Sequence, residues 1–193
     1  MFGLTLVTGP ASEPVSVATL KTHLRINVND EDTLLASYIT AARMTFENLS
    51  GLALIAQTWK LSLDGWPLED VIYLPRPPLQ SVSHVKYRDR EEVLNTLASS
   101  KYYVDAATVP GRIVFGETFD RPTLTDYQLP KVEIQFVAGF VSVPEQVKLA
   151  IMLLAGTFYK NREHLTDKPL TELPLGFKAI VNQHKVGRHV WEV

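Results

Sequence analysis

The spacing of apolar residues changes twice along the chain, dividing it into helices, then strands, then helices. Val17, Leu20 and Leu24 recur at helical spacing, and Ser16 precedes them with a hydroxyl suited to capping free amides. A first helix is therefore expected near 16–26, broken by Asn27–Asn29. A second is expected near 30–50, capped by Asn29 or Asp30, with Asp30, Glu31 and Asp32 against the positive end of its dipole. Its apolar face is Leu34, Leu35, Tyr38, Ile39, Ala42, Phe46 and Leu49, and Gly51 is a natural stop.

From Gln57 the period falls to two. TWKLSLDGW, VIYL, SVSHVKY, YYVD, RIVF and KVEIQF each read as a short strand bounded by Pro, Gly or Asp clusters. Trp59, Leu61 and Leu63 share one face, as do Val132, Ile134 and Phe136. In LPRPPLQSVSHVKYRD, Val85 and Tyr87 share a face with Ser83, while Val82, His84 and Lys86 take the other. The expected arrangement is an antiparallel meander or a small sandwich. PRPP satisfies P-x-x-P, but strands flank it and the usual flanking basic residue is missing. It reads as a stiff entrance to a strand, where a first position need not donate an N–H.

Helical spacing returns near 143–163, with Ser142 as the expected cap and Val147, Ile151, Leu154 and Phe158 as the stripe. Residues 164–176 read as a loop, and 176–186 as a final short helix. The fold class is α+β: a small helical bundle with an antiparallel β-rich insertion. The expected organisation is one domain over 1–193, with a helical core at 14–53 and 142–186. The insertion spans 54–141, and 187–193 form a C-terminal tail.

Composition narrows the function. The 193 residues include no cysteine, which excludes disulfides, thiolate metal sites and cysteine nucleophiles. A formal charge of −2 argues against a broad basic face for nucleic acid. MFGLTLVTGP lacks a basic n-region, and no run of 18 apolar residues occurs, so a soluble, cytoplasmic chain is expected. No phosphate-binding glycine loop, nucleophile elbow or H-E-x-x-H is present. The histidines are scattered, and His184 and His189, five apart, are expected to be solvent-exposed. Acidic pairs are explained by capping or by turns, and Arg88 and Arg90 are cancelled by Asp89, Glu91 and Glu92 at a solvated hairpin end. No catalytic residue, metal or cofactor is assigned.

Taken in order, LKTHLRINVNDEDTLLASYITAARMTFENLSGLALIAQTWKLSLDGWP, IYLPRPPLQSVSHVKYRD, YYVDAATVPGRIVF, VEIQFVAGF and VPEQVKLAIMLLAGTFYKNRE resemble the tailed-phage head–tail connector (adaptor) family. More narrowly, they are similar to members with a β-rich insertion between helices. One departure is the turn after VKYRD, where Arg90, Glu91 and Glu92 stand in place of a glycine-containing turn.

The resemblance implies a non-enzymatic subunit of a twelve-fold ring beneath the portal, in the virion neck and, during assembly, the host cytoplasm. Its implied partners are the portal protein, neighbouring copies of itself and the next connector or tail protein. DNA would pass through the lumen without sequence-specific binding. It also implies that the C-terminal segment docks into the portal, which singles out Lys185, Arg188, Val190 and Trp191. Phe177, Ile180 and Val181 are instead expected to close the subunit's own core. Arg43 and Glu47, at i and i+4, have two readings: a ring contact, or an intrahelical ion pair of about 0.3–0.5 kcal/mol. A stopper, a tail terminator or an enzyme with its site in the β region are the alternatives.

Overall fold

The computed structural model describes residues 2–116, 119–161 and 173–186. They form a β unit, from residues up to Ala11 and Ala56–Phe140, and a helical unit, from Ser12–Ile55 and Val141–Val186. With four helices and two antiparallel sheets among the described residues, the chain has the expected α+β fold.

The helical unit begins as the capping chemistry predicts. Ser16 Oγ accepts from the Thr19 N–H at 3.1 Å and opens α1, Val17–Leu24. The helix stops before Asn27, because Arg25 adopts a left-handed φ of 59° and Ile26 N–H returns to Lys21 O. This six-to-one bond satisfies an end carbonyl in the manner of a Schellman turn. Helix α2 is Asp32–Ser50, and its cap is Glu31 rather than Asn29 or Asp30; the Glu31 carboxylate does not cap the helix but accepts the Tyr159 hydroxyl at 2.7 Å. The Asn29 amide oxygen is occupied by Lys21 Nζ, which also pairs with Asp32 at 2.8 Å. Leu35, Ile39, Ala42 and Phe46 are buried as expected, while Leu34 and Leu49 lie exposed at the margins. Gly51 closes the helix at φ 80°.

Helix α3 is Glu145–Lys160, entered from Pro144 rather than capped by Ser142. The Pro144 carbonyl instead receives the Val147 and Lys148 N–H groups. Helix α4, Leu175–His184, buries Phe177 and Val181, and Phe177 meets Phe46 edge-on at 5.9 Å. The expected loop at 164–176 falls largely outside the described residues.

Among the described residues the β unit has eight strands: β1 Phe2–Thr8, β2 Gln57–Leu63, β3 Val71–Tyr73, β4 Leu79–Arg88, β5 Leu94–Thr96, β6 Tyr102–Asp105, β7 Arg112–Phe115 and β8 Val132–Ala138. Their order is β1-β2-β8-β4-β5 in one sheet and β3-β7-β6 in the other, so the strands do not form a meander. Registry builds apolar rows across four strands. Phe2, Leu63, Val132 and Tyr87 align, as do Leu4, Leu61, Ile134 and Val85, and then Leu6, Trp59, Phe136 and Val82.

That last row corrects the expected faces of β4. Register shifts between Leu79 and Ser81, and between Val82 and His84, each insert one extra residue. A bulge of this kind reverses the alternation beyond it. Val82 therefore joins Val85 and Tyr87 on the apolar face instead of sharing the polar one with His84 and Lys86. Between the sheets, Trp66 contacts both Tyr87 and Phe115, and its indole N–H donates to Pro122 O at 2.9 Å.

Leu79 approaches Gly111 closely. A Cβ placed there would stand 2.4 Å from Leu79 Cβ, with Leu74 N–H bonded to the Gly111 carbonyl at 2.8 Å. Gly111→Ala is expected to cost about 1–3 kcal/mol through overpacking, measured by urea denaturation; an unchanged midpoint would contradict this close approach.

Candidate assembly surfaces

The Arg43–Glu47 pair is an internal device. Arg43 Nη1 donates to Glu47 at 2.7 Å, the intrahelical ion pair expected from the i,i+4 spacing. Two further contacts, not foreseen from spacing, complete it. Arg43 Nε donates to Glu13 at 2.8 Å, and Glu47 Oε1 accepts the Leu54 N–H at 2.8 Å. Arg43 and Glu47 are only 6% and 7% exposed, so little of either reaches the subunit surface. Burial by itself would lower the Arg43 pKa; hydrogen bonds and charge from Glu13 and Glu47 outweigh it and hold the group above its ordinary value.

Helix α4 places Lys185 exposed just beyond its last turn. Arg188, Val190 and Trp191, with His189, lie outside the described residues. Of the three residues expected to close the core, Phe177 and Val181 do so and Ile180 is half-buried. His184 is not the exposed histidine expected from its isolation in sequence. It packs edge-on against Phe46 at 6.4 Å, and its buried Nε2 has no partner among the described residues.

The five-stranded sheet turns a polar face away from its apolar rows. Thr5, Lys60, Gln135 and His84 align there, beside Gly3, Ser62, Glu133 and Lys86. Lys60 and Glu133 approach to 4.0 Å. Desolvation, reinforced by Lys86 and opposed by Glu133, pulls the His84 pKa below its usual value.

The β4–β5 hairpin ends in the solvated turn expected from its mixed charge. The Asp89 carboxylate accepts the Glu91 and Val93 N–H groups at 3.1 and 2.9 Å. Glu92 occupies a left-handed position at φ 63°, the conformation for which glycine is ordinarily used. The PRPP segment is folded into the unit: Pro75 and Pro77 are buried, and the Arg76 guanidinium lies 5.3 Å from the Trp59 ring centre. Among the described residues, no three His, Asp or Glu side chains converge as a metal site, and no helix is long and apolar enough to cross a membrane.

A family model for the phage gp6-like head–tail connector protein matches residues 14–110, half of the chain. The chain belongs to that family. Solved structures extend the likeness of this connector beyond the matched half. It is 26% identical to a chain in the neck of an empty gene transfer agent (GTA) particle in C6 symmetry, at a TM-score of 0.77. It is 25% identical, at 0.78, to a chain of the native GTA virion, and 26% identical, at 0.76, to one in the native neck in C12 symmetry. Each alignment covers 96% of both chains. No curated protein matches the sequence. The connector therefore shares its whole α+β architecture, insertion included, with neck components.

Two measurements test these surfaces. Glu47→Ala leaves the Leu54 N–H unsatisfied and Arg43 with Glu13 as its remaining carboxylate partner, and is expected to cost about 1–3 kcal/mol; a loss below about 0.5 kcal/mol in urea melts would show the pair to be a weak surface contact. His84, with its folded pKa depressed, binds its proton preferentially in the unfolded state. Its contribution is fully present above the unfolded value and is lost as pH falls toward the folded one. The wild type should lose more stability between pH 7 and pH 5 than His84→Gln, and equal losses would contradict the shift.

Proposed function

We propose that this connector is a structural subunit of a twelve-fold ring beneath the portal, where it extends the DNA channel and presents a docking surface for the next connector or tail protein. The observation that carries this reading is the end-to-end likeness to a chain in a neck of C12 symmetry, which includes the β-rich insertion as well as the family-matched region. The formal charge of −2 suits a channel wall along which DNA must slide without sticking. A structural role without catalysis agrees with the family's description as a head–tail connector. In this reading the helical core and the insertion at 54–141 act as one functional subunit.

For the portal contact we assign the C-terminal segment, with Lys185 and Arg188 supplying positive charge and Val190 and Trp191 the apolar anchor. Buried aromatic anchors dominate the energetics of such contacts. Phe177 and Val181 are already spent on the subunit core, leaving the later apolar residues for a partner. Deletion of 187–193 is expected to leave a subunit with an unchanged circular dichroism spectrum that no longer co-sediments with its portal. Binding at the wild-type level would remove the tail from the interface. Electron microscopy of the full-length chain mixed with portal tests the ring itself.

A further inference from the structure

Among the described residues the β unit has four edge strands, and they differ in how they are protected. β3 and β5 have three residues each, and acidic pairs precede them, Glu69–Asp70 and Glu91–Glu92. Shortness and nearby charge are the usual defences against pairing with another chain. β1 has neither: it runs for seven residues, FGLTLVT, with no charge and no proline. Only its inner side is paired, to β2, among the described residues. Phe2, Leu6 and Val7 are 42–49% exposed although Phe2 and Leu6 extend the apolar rows of the core.

The fourth edge, β6, is complementary. Its acidic residue, Asp105, is neutralised by Arg112 Nε at 3.0 Å, and Tyr103 stands 70% exposed. Beside it is an open groove of about 410 Å³, whose lining includes Lys101, Tyr102, Tyr103, Val114, Phe115 and Phe119. One subunit therefore carries a protruding apolar edge and, elsewhere, an aromatic recess beside a second edge. Neither edge strand has an uncompensated charge to desolvate. Two different, complementary patches per subunit are what a closed ring requires, because cyclic contacts are heterologous.

We propose that β1 of one copy adds to the β6 edge of the next, its Leu6 and Phe2 side chains entering the groove beside Tyr103 and Val114, which share one face of the β6–β7 pair. Main-chain hydrogen bonds supply the attraction and the side-chain pockets supply the register, as in strand addition generally. The proposal rests on the ring reading above and locates the contact that would build it.

The absence of cysteine makes the test direct, since introduced thiols have no competitors. Full-length Leu6→Cys, Tyr103→Cys and the double variant would be assembled, alone or on portal, imaged and then oxidised. Each single variant should remain a monomer on a denaturing gel, their mixture should give a dimer, and the double variant should give a ladder up to the ring's copy number. Leu6→Lys should abolish rings while keeping its circular dichroism spectrum; should it fail to fold, the crosslinks decide. Rings that persist in folded Leu6→Lys, rings without the Leu6–Tyr103 crosslink, or a Leu6–Leu6 dimer would overturn the edge assignment and leave the ring standing. A wild-type chain that forms no ring, alone or on portal, would overturn the ring reading and this contact with it.

Discussion

The β unit depends on strand β8 being hydrogen-bonded on both sides. Residues Val132–Ala138 lie between β2 and β4, which precede them by tens of residues, and every partner on both sides is antiparallel. Val132, Ile134, Phe136 and Ala138 are completely buried. Remove this strand and β2 would be left with β1 alone, and β4 with the three residues of β5. Two-stranded fragments of that size are marginal in water. The pairing of β8 with β2 is also the least local of the unit, so the loop-closure entropy must be met before that pairing contributes.

In the helical unit, the corresponding constraint is electrostatic. Arg43 binds Glu47 on its own helix and Glu13 from the segment before α1, while Glu47 holds the Leu54 amide after α2. One buried ion pair thus ties segments before and after α2 to that helix. Such a cluster adds less net stability than its short distances suggest, because desolvation opposes it. Its effect is geometric: an alternative path would leave a buried charge unpaired.

These two constraints explain which features could be read in advance. Ser16, Gly51 and the alternation of KVEIQF act through near neighbours, and the structure follows them. PRPP was legible as a strand entrance for the same reason, since ordered strands flanked it. Other features needed distant partners. Asn29 looked like a cap, but Lys21 occupies its oxygen. The faces of β4 were misread because its bulges are defined by register against β8. Phe2, Leu4 and Leu6 do alternate, yet without β2 beside them the segment read only as apolar. β5, at three residues, is too short for any period to show.

Of the candidate surfaces, the Arg43–Glu47 spacing identified a real ion pair but could not show that it is buried, nor that Glu13 and Leu54 share it. The edge chemistry of β1 was equally hidden, because an edge exists only once strand order is known. Local chemistry along the chain was sufficient for the four helices, the strands other than β1 and β5, and the family order of segments. Strand order, the reversal of a face at a bulge and the sharing of one charge among three segments were decided by tertiary contacts. The division is physical: caps and periodicity are satisfied within a few residues, whereas registry and buried charge depend on groups that only folding brings together.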